Sequence, residues 1–248
     1  MLLKGRPISL AVLDFGLFTV HANGRIIGIP GFLVETNLGE KVLIDTGFPS
    51  KYADDIEKAS DEDNLGEFGK VLELTHLNQP DAQLNLLGVK KSELDYVIIT
   101  HTHIDHVGNI GSFPGTPIIV GANERALPKP IYWRGEQPLD WPDSEYVLVT
   151  EDFDLGPGFR LLLVPGHTPG ELSIMINLPE TGAILLTSDA ISRPSEIEEG
   201  CLDSVNPKQA LDSAYRILEL AKKQNAFVIY GHGPEQWKEL KKAPSKYL

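Results

Sequence analysis

Residues 101–106 read His-Thr-His-Ile-Asp-His, so three imidazoles and a carboxylate fall within six positions. Neutral imidazoles with a carboxylate are the donor set of zinc and other borderline first-row divalent cations. His101 and His103, two apart, can point to one side of an extended backbone. Asp105 and His106 must then turn away, which suits a second cation a few ångströms from the first. Three more residues stand where an apolar run gives way to a loop. His167 lies in Pro165-Gly166-His167-Thr168-Pro169-Gly170, His232 lies in Tyr230-Gly231-His232-Gly233-Pro234, and Asp189 ends the run 182–189. The glycines and prolines beside the two histidines let the backbone turn sharply. A single strand-end His or Asp is more often a turn former than a ligand. Five histidines and two aspartates in such places suffice for a two-metal site.

Strands are needed to hold these side chains. Apolar runs of strand length, bounded by Gly, Pro, Asn or Asp, occur near residue 30 and at 41–46, 94–100, 116–121, 145–150, 159–165, 171–178, 182–189 and 226–232. A helix is expected around residues 83–87, its start left open. Another is expected over Pro207–Gln224, with Ala210, Ala214, Ile217, Leu218 and Ala221 on one face, Asn206 as N-cap and proline at its first position. The alternation predicts an α/β fold of two packed sheets covered by helices, in one domain over residues 1–248. Residues 122–144, with four prolines and Trp133 and Trp141, read as a long loop. Such a loop is either a binding element or a surface excursion with buried aromatics.

Composition narrows the partners. The 248 residues can bury a core without covalent staples. Against 22 Lys+Arg stand 35 Asp+Glu, a net charge of −13, which would repel nucleic-acid phosphates. A single cysteine makes no intrachain disulfide. Arg6, Pro7 and Asp14 interrupt the stretch where a leader would need an apolar run, and no uncharged run approaches membrane-spanning length. The expectation is a cytoplasmic monomer or homodimer with no nucleic-acid or membrane partner.

The pattern His101-x-His103-x-Asp105-His106, followed by His167, Asp189 and His232 in that order, resembles the metallo-β-lactamase superfamily over nearly the whole chain. Asp45, in Leu43-Ile44-Asp45-Thr46-Gly47, resembles that family's early aspartate, a partner of a ligating histidine. The resemblance implies an αββα sandwich of two mixed β-sheets flanked by helices, with the metals at the sheet edge. It implies two divalent ions per chain, Zn2+ first, with Co2+, Mn2+ or Fe2+ as alternatives. His101, His103 and His167 would hold one, Asp105, His106 and His232 the other, and Asp189 would bridge them.

Several branches of the superfamily fit less well. Exported β-lactamases lack the bridging aspartate, flavodiiron proteins carry glutamate where His103 stands, and RNA-processing members are larger and bind polyanions. Glyoxalase II carries a helical domain after its last metal histidine, whereas sixteen residues follow His232. With its Leu43-Ile44-Asp45-Thr46-Gly47 segment, its Pro165–Gly170 loop and Asp189, the chain resembles the N-acyl homoserine lactonases and related small lactonases. That implies opening of a small lactone ring by a metal-bridging hydroxide, with Asp105 relaying the proton to the leaving oxygen. Hydrolysis of another ester, a thioester or a phosphodiester is the alternative, and a metal-binding protein without turnover is a third reading.

One departure matters. These lactonases usually place a tyrosine shortly after the bridging aspartate, near the substrate carbonyl, but residues 189–194 read Asp-Ala-Ile-Ser-Arg-Pro. Ser192 and Tyr132 are candidates to replace it, while Arg193 either attracts a substrate carboxylate or is a solvated surface arginine. Phe15, Phe18, Phe32, Leu65, Phe68, Trp133 and Trp141 could line an apolar cleft or simply pack the core. Asp61, Glu62 and Asp63 read as a solvated acidic face, and Cys201 as an inert apolar residue.

Overall fold

The structure, a computed structural model, describes residues 1–133, 135 and 137–248. Strands buried on both faces must be apolar at successive positions, and this chain's central strands are. In β1 (Pro7–Val20), Ala11 and Leu13 point into one core while Leu10 and Val12 point into another. Among the described residues the first sheet has the order β4-β1-β2-β3-β5-β6-β7. Here β2 is Ile26–Thr36, β3 Lys41–Ile44, β4 Gly69–Glu73, β5 Tyr96–Ile99, β6 Ile118–Gly121 and β7 Tyr146–Val149. Strands β4, β1, β2 and β3 pair antiparallel, and β3, β5, β6 and β7 pair parallel. The second sheet has the order β12-β11-β10-β9-β8, with β8 Phe153–Gly156, β9 Phe159–Leu163, β10 Leu172–Leu178, β11 Gly182–Leu186 and β12 Phe227–Ile229. Its β11–β12 pair is parallel and the rest antiparallel.

Among the described residues, three apolar clusters stack the layers. Leu10, Val12, Val34, Val42 and Ile98 of the first sheet pack on Leu161, Ile174, Ile176 and Ile184 of the second. The first sheet's other face meets Tyr52 of helix Lys51–Asp54 and Leu84 of helix Pro80–Leu86. The second sheet's outer face, with Leu162, Met175 and Leu185, is covered by Ala214, Ile217 and Ala221 of helix Pro207–Gln224. Asn206 caps that helix by accepting from the Gln209 N–H, and Asn225 closes it in the left-handed region. The result is the helix–sheet–sheet–helix sandwich of two mixed sheets. No helix among the described residues is long and apolar enough to cross a membrane.

Several elements lie outside the apolar runs. β1 is interrupted in sequence by Asp14 and Gly16, where the pairing with β2 shifts register and Gly16 takes φ +115. β4 and β8 are short and half polar. The helix expected around 83–87 is Pro80–Leu86, with proline in its first turn. Asp63 is not solvated but buried, accepting from the hydroxyls of Tyr52 at 2.9 Å and Tyr132 at 2.8 Å and from Lys51 Nζ at 2.8 Å. The excursion 122–144 opens with a short helix, Ala122–Arg125, and Trp141 donates to the Leu127 carbonyl.

Candidate metal centre

Parallel strands bring their carboxyl ends to one edge, and in both sheets that edge carries the polar residues. Asp45 follows β3, His101 follows β5, His167 follows β9, Asp189 follows β11 and His232 follows β12. The two edges are joined where the Leu172 N–H donates to the Thr100 carbonyl at 2.9 Å.

Two groups of donor atoms meet there. His103 Nδ1 lies 3.0 Å from both His101 Nε2 and His167 Nε2, with Asp189 Oδ2 at 3.6 Å from His167 Nε2 and 3.9 Å from His101 Nε2. In the second group His232 Nε2 is 3.3 Å from Asp105 Oδ2, and His106 Nε2 is 3.6 Å from the same oxygen. Asp189 Oδ1 faces this group, 3.1 Å from His232 Nε2 and 3.8 Å from His106 Nε2. Within each group the donor atoms lie within 4.8 Å of one another. Asp189 thus turns one oxygen to each group.

These atoms fit divalent cations better than they fit one another. Metal–ligand bonds of about 2.0–2.2 Å place ligand atoms roughly 3–3.6 Å apart around a common centre. One proton on His103 Nδ1 cannot serve two imidazole nitrogens. Among the described residues, His106 Nε2 and Asp189 Oδ1 are buried with no well-directed hydrogen-bond partner, an arrangement a cation would resolve.

The neighbouring residues fix which nitrogen faces inward. Asp45 accepts from the Thr100 N–H and hydroxyl at 2.8 Å each, and its Oδ2 takes the His106 Nδ1 proton at 2.9 Å, leaving His106 Nε2 free to bind. Asp45 itself sits at φ +61, and Thr46 donates from its N–H and its hydroxyl to the His106 carbonyl. His232 Nδ1 donates to the Gly28 carbonyl at 3.0 Å. A Cβ on Gly28 would stand 1.9 Å from the Trp237 ring, so only glycine lets β2 approach closely enough. Gly28→Ala should cost about 1–3 kcal/mol from overpacking and weaken binding at His232. Urea unfolding and zinc stoichiometry check both, and a variant of wild-type stability with full zinc would contradict it.

Charge separates the two groups. Burial and the adjacent imidazole of His167 push His103 down to about 4, and burial with neighbouring imidazoles holds His101 and His167 below their usual value. Against the opposing effect of burial, Asp105 and Asp45 push His106 up to about 9, and Asp189 and Asp105 hold His232 well above the ordinary imidazole value. A raised imidazole stabilises the metal-free fold below pH ~6.5, and that contribution from His106 is lost as pH rises through about 9. Cation binding requires neutral imidazoles, so loading the second group must expel protons while the first group needs none. Zinc uptake at pH 7 should release about two protons per chain, and second-group affinity should rise towards pH 9. Calorimetry in buffers of differing ionisation enthalpy reads this. Proton-free loading would contradict it.

A cavity of about 340 Å³ opens above the centre, its floor formed by His103, Asp105, His167, Asp189 and His232. Phe18, Phe48, Leu65, Phe68 and Trp133 give it an aromatic and apolar wall, with Phe68 stacked 5.8 Å from Phe18 and tilted against Trp133 at 5.0 Å. Arg25, Arg193, Glu196 and Asp203 supply the charged part of the lining, and Ser192 adds a hydroxyl. Tyr132 does not line the cavity: it is fully buried and its hydroxyl is committed to Asp63. Phe15, Phe32 and Trp141 also lie away from it. Arg193 is no solvated arginine but 8% exposed, paired with Glu199 and Glu196. Gly28 and Thr100 were not singled out by sequence. A glycine inside the run near residue 30 is the one signal that could have marked a close backbone approach.

Fold and centre together define a class. The chain belongs to the metallo-beta-lactamase superfamily, whose family model matches residues 29–232. Within that class it is a relative of the N-acyl homoserine lactonases. It is 32% identical over 231 residues to N-acyl homoserine lactonase AiiA of Bacillus thuringiensis subsp. kurstaki, covering 89% of this chain and 88% of that one. The structure of a B. thuringiensis AiiA mutant with N-decanoyl-L-homoserine bound at the active site superposes with a TM-score of 0.84 at 27% identity, covering 99% of this chain and 100% of that one. An N-acyl homoserine lactone hydrolase with the product N-hexanoyl-L-homoserine bound at its catalytic metal center gives a TM-score of 0.81 at 27% identity, with the same coverage.

Proposed function

We propose that the chain is a two-metal hydrolase that opens the ring of an N-acyl homoserine lactone or a similar small lactone. The observation that carries this is Asp189, which turns one oxygen to each donor group at the floor of an aromatic-walled cavity. His101, His103 and His167 would hold one cation, Asp105, His106 and His232 the other, with Asp189 shared and zinc the expected metal. Bound there, two divalent cations supply Lewis-acid polarisation of a carbonyl and a water made acidic near neutral pH.

The protein's own groups do the rest. Asp45 and Gly28 hold His106 and His232 in the tautomer that presents Nε2. Asp105 lines the cavity, so its carboxylate can take a proton from the attacking water and carry it to the alkoxide released on ring opening. Phe68, Trp133 and their aromatic neighbours exclude water and take the acyl chain. Ser192 lines the cavity in the part of the sequence where the lactonases usually carry a tyrosine. Phe68→Ala should raise KM for long-chain substrates on the order of tenfold through lost apolar contact, with KM for short chains little changed. A uniform rise across chain lengths would contradict that role.

We also propose that residues 1–248 act as one domain, in the cytoplasm, as a monomer or homodimer, with quorum quenching as the activity's setting. The lone Cys201 is buried and free, and burial pushes its thiol up to about 11, which suits a fold without disulfides. The charged lining around Arg25 and Arg193 favours a second reading, hydrolysis of a more polar ester or phosphodiester. Ring opening of a lactone panel by protein of known zinc content, run beside a thioester and bis-nitrophenyl phosphate, decides between them. Lactone opening that stops on chelation is expected. Cleavage of the phosphodiester with every lactone intact would overturn the first reading.

A further inference from the structure

Glu124, in the helix Ala122–Arg125, is fully buried and has no role in the reading above. Three donors converge on its carboxylate. Oε2 accepts from the Thr102 hydroxyl at 2.6 Å and the Thr102 N–H at 3.2 Å, and Oε1 accepts from the Gly170 N–H at 3.0 Å. Thr102 stands between His101 and His103, and Gly170 lies three residues after His167. One buried carboxylate therefore ties together the two loops that carry the first group's imidazoles. The Thr102 hydroxyl also accepts from the Ile131 N–H at 3.0 Å, which leaves its own proton for Glu124. Room to slide is small. A Cβ on Gly170 would lie 2.7 Å from the Glu124 nitrogen, and one on Gly121 would lie 1.9 Å from the Gly170 carbonyl oxygen. The second group is oriented by different residues, Asp45 and Gly28.

We infer that Glu124 is a positioning residue for the His101–His103–His167–Asp189 group, acting through Thr102 and Gly170 to hold two loops in register and so setting cation affinity at that group alone. This rests on the two-cation reading. The nearly isosteric Glu124→Gln keeps one acceptor oxygen and turns an NH2 group towards either Gly170 N–H or Thr102 N–H, two donors face to face in a buried site. Outer partners of this kind typically set metal affinity by 10–100-fold.

The test uses zinc competition against a chromophoric chelator. The wild-type chain is titrated first, then variants in a His232→Ala background, where only the first group is complete. Glu124→Gln and Thr102→Val should each weaken zinc binding about 10–100-fold, while Thr102→Ser, which keeps the hydroxyl, stays close to its parent. Trp141→Phe in the same background, which removes a contact of the same excursion to the Leu127 carbonyl and touches neither Thr102 nor Gly170, should leave the first group unchanged. Thr102→Val decides the matter should Glu124→Gln fail to fold. Unchanged affinity in a folded variant lacking the Glu124 contact, or equal weakening by Trp141→Phe, overturns the inference while the two-cation reading stands. A wild-type chain that takes up no zinc overturns both.

Discussion

Asp189→Ala is expected to fold, to take up at most one zinc ion per chain, and to open lactones at least about 10³-fold more slowly than wild type. Among the described residues, Asp189 alone turns its two oxygens to both donor groups, at 3.6 and 3.9 Å on one side and 3.1 and 3.8 Å on the other. Without it, two cations in adjacent sites would repel with no shared carboxylate between them. The fold should survive because the histidines can adjust. Removing one partner of a buried ion pair costs about 3–5 kcal/mol when the other charge is stranded. Here His232 and His106 can shed their protons instead, since the Asp189 charge is part of what holds both imidazoles up. Asp189→Asn separates charge from shape, because it keeps one acceptor oxygen and loses the anion. Elemental analysis of dialysed protein, paired with kcat/KM, reads the outcome. Two zinc ions and unaltered turnover in Asp189→Ala would remove the shared-carboxylate account.

The sandwich was legible because its central strands are apolar on both faces and end in polar residues beside glycine or proline. The cluster 101–106 was legible for another reason: four donors in six positions have few other uses. Elements that carry less apolar density were not. β1 is the longest strand among those described, yet Asp14 and a glycine at φ +115 break its run where the register shifts. Asp63 sat in a stretch that reads as solvated acid, and only tertiary contact with two tyrosines and a lysine buries it. Tyr132 shows the same limit. Its place in a proline-rich excursion near aromatic residues is compatible with a substrate contact, but its hydroxyl is spent on that aspartate. Arg193 looked exposed because nothing local hides it, whereas Glu196 and Glu199, three and six residues on, fold back to pair with it. Orientation of a ligand was the least legible property. Gly28 is 204 residues away from the His232 ring it steadies, and no local pattern could join them.

Asp105→Asn carries the second large effect and distinguishes two jobs that one side chain could do. The carboxylate lies 3.3 Å from His232 Nε2 and 3.6 Å from His106 Nε2, as a member of the second donor group, and it also lines the cavity. The nearby imidazoles of His106 and His232, working against burial, keep its carboxyl below the usual carboxylate range, so it is ionised near neutral pH. Asparagine keeps a ligating oxygen but cannot carry a proton. The expected result is a kcat lower by roughly 10²–10⁴-fold, KM within a few-fold of wild type, the first cation retained and the second held more weakly. Restoring the second cation at high zinc should not restore turnover of a lactone, whose alkoxide leaving group needs a proton. It should largely restore turnover of a para-nitrophenyl ester, whose phenolate leaves without one. An equal defect on both substrates at saturating zinc would show that Asp105 acts through cation binding alone, and proton delivery would then have to be assigned to another group on the cavity floor.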